Sequence, residues 1–557
     1  MKHLLYMILV GLLFCSSPVR AQEYPVERVY VHLDKDYYVA GESVRLKFRV
    51  VDGDCKPSQL SKVGYVEISD TERPYMQLKL ALSDGSGVGK INIPDNIPSG
   101  IYELSAYTRY MRNEDRDVFF KKQITIINPR IWPDKAKAEL VGPAEITQKD
   151  AVEPGVRITV DKNEYGNREK VSLSISGLPE DLLDLVVSVS GRDSMASSYP
   201  TDRYLLKQQI ENSPKSLQAY RWIPEYEGHI ITGHLEPKAK DVVLLSNLSF
   251  VGSDIKYING QADPEGETVS FYTSGVYGPK EVVSSVTSLA GETVPYRLDI
   301  VSPFSEDLPE KLPVLKFYPN EKQLMDRYVA AQLSRVIEID TVTHVVDMDY
   351  YNFPATISYN LDEYTRFNTL GETMLEFVQW ATIRKMGDTR RILVFSQEQQ
   401  QFSKYSALVL LDGVPIFNHE EILEYNPRNI KTLDIYDGKY IFGNEVYEGI
   451  ISYITHEKDL PFFKLNDEYQ LFRYDCPELP IKFKAPDYSD GSAKQSRMPD
   501  MRHTLYWNPS VKPQPGGSAQ LTFFTSDLCG EFKISIEGIT PDGRLIQGHA
   551  SFSVREK

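Results

Sequence analysis

The sequence predicts a mainly β fold: a multi-domain string of β-sandwiches with one α/β module set into it. Three observations predict it. "DKDYYVAGESVRL" (34–46) recurs as "DKNEYGNREKVSL" (161–173), apolar and polar residues alternate along most of the chain, and the stretch 360–458 switches to helix–strand order. At 557 residues the chain exceeds what one core fills, so several domains are expected.

The elements follow in order. Residues 1–21 read as a secretory signal peptide: Lys2 is the charged start, Leu4 to Phe14 the apolar run, and Val19-Arg20-Ala21 the cleavage site before Gln22. Phe14 stands where a lipidation signal wants a small residue, which argues against a lipid on Cys15. The apolar run is too short to cross a bilayer as a helix, and no later stretch is long and apolar enough, so no transmembrane span is expected. Losing the signal takes the formal charge from −16 to −18, an acidic balance that speaks against nucleic acid or an anionic membrane face as partner. Cys55, Cys476 and Cys529 remain. Three thiols allow at most one disulfide, and sequence spacing permits Cys476–Cys529 without establishing it.

Residues 22–128 read as one β-sandwich. Val44, Leu46, Phe48 and Val50 alternate with Arg45, Lys47 and Arg49, which predicts a half-buried strand, and Asp84-Gly85 and Pro98-Ser99-Gly100 mark turns. The repeat keeps Asp34/Asp161, Lys35/Lys162, Tyr38/Tyr165, Glu42/Glu169, Val44/Val171 and Leu46/Leu173 at a constant offset of 127, about one sandwich plus a connection. Residues 129–224 are therefore expected as a second sandwich, with "TDRYLLKQQIENSPKSLQAYRW" as a helical insertion. A third sandwich is expected at 225–303, then a mixed connecting region at 304–359 whose "EKQLMDRYVAAQLSRVIEI" reads as helix running into strand. Beyond the α/β module come a linker at 459–499 and a C-terminal sandwich at 500–557, where "KISIEGI" pairs naturally with "GHASFSV". Through "YVHLDKDYYVAGESVRLKFRV", "LSDGSGVGKINIP" and "IPSGIYELSAYTRYM" the first unit resembles the macroglobulin-like domains of secreted bacterial surface proteins, and the C-terminal stretch resembles their last sandwich. That resemblance implies immunoglobulin-like sandwiches used as rigid modules.

Within 360–458, Leu370, Met374, Phe377, Val378 and Ala381 fall at helical spacing and predict an amphipathic helix. "RRILVFS" and "LVLLDGVPIFN" read as strands, with Asp412-Gly413 as a tight turn, and Asn418 is the candidate N-cap of a short helix. "NIKTLDIYDG" and "YEGIISYITH" give further strands. This order, with "YNPRNIKTLDIYDGKYIFGNEVYEGIISYIT", resembles the plug domain of TonB-dependent outer-membrane receptors. There the plug sits in a barrel of about 22 strands. Only 99 residues follow Lys458, whereas about 22 strands of roughly ten residues need more than about 200. The expectation is plug architecture without a pore, with the loops around Asp412, Asn426 and Tyr440 as candidate partner contacts.

Signatures of chemistry are sparse. "CGEF" (529–532) places Phe532 where the thioester of alpha-macroglobulins requires Gln, so none can form. His229 and His234 are five apart in β-like sequence and point to opposite faces, "GSGVG" (85–89) lacks the helix and Lys of a phosphate loop, and "DYSDG" (487–491) reads as solvated loop acids. No catalytic residue, cofactor or metal is assigned. The reading is an exported, non-enzymatic binding or scaffold protein of the periplasm or outer membrane, whose protein partner lies in the cell envelope, an outer-membrane β-barrel being one candidate. Two rivals stand beside it: a hydrolase (peptidase or glycan-degrading) with a site assembled across domains, and a thioester-less protease trap with 201–222 as bait.

Overall fold

The protein is described here from a computed structural model covering residues 25–131, 138–142, 155–192, 195, 201–202, 204–214, 220–237, 244–252, 255–288, 292–318, 320–337, 340–342, 354–442 and 445–556. Strand makes up 47% of the chain and helix 11%, so the fold is mainly β. The signal peptide expected at 1–21, with Cys15, lies outside the described residues.

The sequence repeat is a repeated corner. Tyr38 donates its hydroxyl to Asp34 Oδ1 at 2.8 Å, and Tyr165 donates to Asp161 Oδ1 at 2.8 Å. The same aspartates accept from the backbone N–H groups of Arg45 and Ser172. Lys35 pairs with Glu42 and Lys162 with Glu169, and each glutamate also accepts a backbone N–H, from Val39 or Gly166. Each corner turns a short strand against the last strand of its sandwich: Tyr37–Val39 runs parallel to Phe120–Ile127, and Glu164–Tyr165 runs parallel to Leu545–Val554.

That second pairing overturns the expected string. The sandwich begun at 157 is finished by the C-terminus. One of its sheets joins Arg157–Val160, Lys170–Ser176 and Ala519–Phe524, and the other joins Glu164–Tyr165, Leu545–Val554, Gly530–Ile539, Asp184–Gly191 and Thr504–Asn508. The strands of 157–191 and of 504–554 are thus two parts of one sandwich, with Leu173, Val187, Phe523 and Ile534 in a common core. The third unit is also interrupted. Its seven strands run in the order Arg297–Ile300, Ile230–Glu236, Thr268–Tyr272, Lys256–Ala262, Leu244–Val251, Pro279–Ser288 and Tyr469–Asp475, so part of the expected 459–499 linker is an edge strand. The α/β module is inserted in the third unit, and the third unit in the second sandwich. Alternation reveals a strand and its faces, but carries no information about a partner more than 300 residues away.

The first sandwich shows the consequence. Glu27–Leu33, Ser43–Asp52 and Ser86–Asn92 form one sheet, and Val44, Leu46 and Phe48 fill the core as expected. Arg45, Lys47 and Arg49, expected in water, are buried because other parts of the chain cover that face. Lys47 donates to Ser510 Oγ at 3.1 Å, Arg49 pairs with Asp184 at 3.4 Å, and Arg45 lies over the Phe483 ring. The helix Glu321–Ile337 forms where its sequence predicts, and Arg327 clasps Glu42 of the first corner at 2.9 and 3.1 Å.

In the α/β module the central sheet orders Ile357–Asn360, Ile430–Phe442, Glu445–Thr455, Leu408–Leu411 and Val414–Pro415. The predicted helix is shorter than its apolar spacing: it spans Leu370–Phe377, and Ala381 starts a strand, Ala381–Met386. Asn418 caps His419–Leu423, accepting from the Glu420 N–H. A register shift between Ile430 and Thr432 puts Ile430 in the same core as Leu433 and Ile435, against simple parity. The opposite face of the sheet, with Leu408, Leu410, Tyr436 and Ile450, packs on Tyr257 of the third unit. Tyr469, on the third unit's edge strand, stacks on Phe417 and donates to the Pro415 carbonyl at 2.7 Å. Among the described residues no helix is long and apolar enough to cross a membrane.

Candidate interaction surface

The long hairpin of the module outruns its neighbours. Pairing with Ile357–Asn360 ends at Ile435, and pairing with Leu408–Leu411 ends at Ile450. Residues 439–442 and 445–448 therefore continue as a two-stranded arm past the sheet. Strand parity divides its side chains. Tyr440 and Tyr447 face each other and pack on the Tyr257 cluster. Ile441 and Val446 face each other on the other side and are 69% and 53% exposed. Lys439 and Glu448 flank that apolar pair on the same side. Ser403 donates to Glu448 Oε2 at 2.7 Å and ties down the neighbouring loop, which presents Tyr405 at the surface.

The three residues predicted as contacts do not converge. Asp412 is fully buried, which removes it from any surface. Its carboxylate accepts from the Thr455 N–H at 2.8 Å, the Thr455 hydroxyl at 2.6 Å and the Leu460 N–H at 3.0 Å. Burial raises its pKa, against those three hydrogen bonds. With φ of 46° at Asp412 and 79° at Gly413, the turn is the left-handed pair that an Asp-Gly hairpin uses. "LVLLDGVPIFN" is thus an internal brace, fastening the chain that leaves the module. Asn426 is exposed, and its side chain accepts from the Arg428 N–H at 3.0 Å as the cap of a single turn, Pro427–Asn429. Tyr440 is half-buried, with its hydroxyl donating to the Asp437 carbonyl at 2.8 Å. Asn426 and Tyr440 lie at opposite ends of one strand, on the order of 40 Å apart along the chain. Ile441 and Val446 were legible only as turn-flanking apolar residues in "YIFGNEVYE"; their exposure depends on where the neighbouring strands stop.

A hydrolase would need a cleft with reactive groups in register. A cavity of about 510 Å³ lies between the helix Glu321–Ile337 and the second sandwich, lined among others by Arg192, Arg327, His503, Cys529 and Glu531. Burial, together with Arg327 and Lys35, holds His503 well below the ordinary imidazole value. Cys529 is exposed, with its Sγ 3.8 Å from Asn167 Oδ1. Arg327 is already committed to Glu42. Cys476 is buried in the third unit, apart from Cys529, and the described cysteines are all free thiols. Among the described residues no cluster of three or more His, Cys, Asp or Glu is arranged to hold a metal. Of the bait expected at 201–222, the described residues are held at four points: Leu206 is buried in the first core, Arg28 donates to the Gln209 carbonyl and to Ser213, and the Trp222 carbonyl accepts from Asn113.

No protein-family model matches the chain, and no curated protein matches it. Among solved structures, the chain is similar to Escherichia coli alpha-2-macroglobulin activated by porcine elastase, at 10% identity and a TM-score of 0.24, over 95% of this chain and 44% of that one. Salmonella alpha-2-macroglobulin reacted with methylamine gives 10% identity and a TM-score of 0.24, over 96% and 40%. An Escherichia coli adhesin gives 10% identity and 0.14, over 48% and 62%. The chain spans less than half the length of these macroglobulins, and likeness at this level carries no argument about what it does.

Proposed function

We propose that the protein is an exported, non-enzymatic binding or scaffold protein of the cell envelope, and that the arm of its α/β module docks on a protein partner there. The macroglobulin-like sandwiches form the support. Signal-like residues 1–21 motivate the export, and the plug-like order of 360–458 motivates a partner at the outer membrane, an outer-membrane barrel being the first candidate. One observation carries the reading: a facing Ile441–Val446 pair stands exposed on an arm whose other face is packed down. Small apolar patches rimmed by charge, held on rigid elements, are what recognition surfaces offer.

The test is a pull-down from detergent-solubilised envelope of the producing organism, with wild type beside Ile441→Asp/Val446→Asp. The wild type retains a discrete partner, and the double variant loses it with an unchanged melting temperature. A wild type that retains nothing, or a variant that retains the same partner, contradicts the reading.

A further inference from the structure

On the connection that leads into the third unit, the indole of Trp222 is faced by three guanidinium groups. Arg112 lies 3.8 Å from the ring centre, and Arg109 and Arg221 lie 5.1 Å from it. Arg109 and Arg112 follow the strand Gly100–Tyr107 of the first sandwich, and Arg221 is the chain neighbour of Trp222. Arg109 is buried, Arg112 half-buried and Arg221 exposed. The chain as a whole carries a net charge of −16, so this is a local concentration of the opposite sign.

The segment is fixed by the fold itself. Asn113 Oδ1 accepts from the Arg221 and Trp222 N–H groups, each at 2.8 Å. Its Nδ2 donates to the Trp222 carbonyl at 2.6 Å and to the Tyr110 carbonyl at 2.9 Å. Tyr220 stacks on Tyr110 with ring centres 6.4 Å apart. Ordering this stretch is thus complete on folding, which removes that cost from binding.

Donors outnumber acceptors around the ring. Arg112 donates to the Pro303 carbonyl at 2.8 Å. Arg109 donates to the Ile230 carbonyl at 3.2 Å and to Thr232 Oγ1 at 3.5 Å, while its buried Nε has no hydrogen-bond partner. Among the described residues, none of the three guanidinium groups is in an ion pair. The buried acids of this region are engaged elsewhere. Glu67 accepts from Tyr107 and Gln77, and Glu225 accepts from Tyr65, His229 and the Ile230 N–H. A guanidinium stacked on an aromatic ring keeps its N–H edge free, and that edge matches a planar carboxylate through two parallel hydrogen bonds. Three cations around one ring also repel one another, which a bound carboxylate offsets. Beside the charges lies apolar ground: Tyr220 is 56% and Ile223 42% exposed.

We propose that this cluster recognises an acidic peptide segment: Arg112 and Arg221 take its carboxylates, and Tyr220 and Ile223 take the apolar side chain beside them. An inorganic anion supplies the charge without the apolar part. A uronic-acid chain supplies carboxylates but carries hydroxyl groups where Ile223 offers them no partner. Arg, Tyr and Trp are also the residues that carry most binding energy at protein interfaces. The site stands on the first sandwich and the connection, apart from the α/β module, so it is independent of the arm.

The test titrates the full chain against fluorescein-labelled Glu-Glu-Phe-Glu-Glu and follows anisotropy, with Gln-Gln-Phe-Gln-Gln and Glu-Glu-Phe-Glu-Glu in which Gly replaces Phe as comparison peptides. The acidic peptide binds with a Kd below about 1 mM, and the glutamine peptide does not. Binding weakens between about 20 and about 150 mM salt, as a charge-led contact requires. Arg221→Glu, at an exposed position, keeps the melting temperature and weakens binding by at least about tenfold. Ile223→Ser erases the preference for the Phe peptide over the Gly peptide. Ile441→Asp/Val446→Asp, on the arm, binds as the wild type does. Equal binding of the acidic and glutamine peptides, binding of neither, an unaffected Arg221→Glu, a Phe preference that survives in Ile223→Ser, or a loss in the arm variant overturns the inference. So does competition by inorganic phosphate or oligogalacturonate as effective as by unlabelled peptide, which assigns the site to anions in general or to anionic glycans.

Discussion

Asp34 and Asp161 perform the same local task with different surroundings. Each gathers a tyrosine hydroxyl and a backbone N–H into a corner. Asp34 is buried and also accepts from Thr504 of the second sandwich at 3.0 Å, whereas Asp161 is exposed. Removing a buried acceptor strands its donors, so Asp34→Ala should cost about 3 kcal/mol, and Asp161→Ala clearly less. Denaturant titration of both variants checks the order. The identities of these corner residues were legible because the motif repeats. The extra duty of Asp34 was not, because the neighbour that imposes it lies 470 residues away in the chain.

At the level of elements, the module shows how a strand is fitted to two faces at once. Gly449 has φ of 104°, and a Cβ there would lie 2.5 Å from the Val394 side chain. Gly449→Ala therefore combines backbone strain with overpacking and should destabilise the protein by about 3 kcal/mol, read as a lower denaturation midpoint. The arm beyond it behaves differently. Ile441 and Val446 already face solvent, so polar replacements there should leave stability within about 0.5 kcal/mol. Strand identity and the Asp-Gly turn were readable from alternation and turn chemistry. The burial of Asp412 was not, since the same dipeptide serves an exposed hairpin tip or an internal brace, and here Thr455 and Leu460 decide.

At the scale of the whole molecule, nesting makes the termini interdependent. The second sandwich cannot close without Thr504–Asn508, Ala519–Phe524, Gly530–Ile539 and Leu545–Val554. A chain ending at residue 499 should lose that sandwich, expose Lys47 and Arg49 of the first, and become sensitive to limited proteolysis across 157–191 while 230–300 remains resistant. A string of independent domains would lose only the last one. The mainly β class, the repeat and the helix–strand switch at 360 were all legible in the residues. The nesting was not, because apolar patterning specifies which face a strand buries and leaves its partner open; the buried Arg45, Lys47 and Arg49 face is the plainest case.

The central claim is that this nested support holds an arm for a partner to grip. A photo-crosslinking amino acid at position 441, activated in intact cells, tests it most directly. A discrete protein adduct from 441, with little or none from the exposed position 426, is the predicted result; no adduct from 441, or a stronger one from 426, would contradict it.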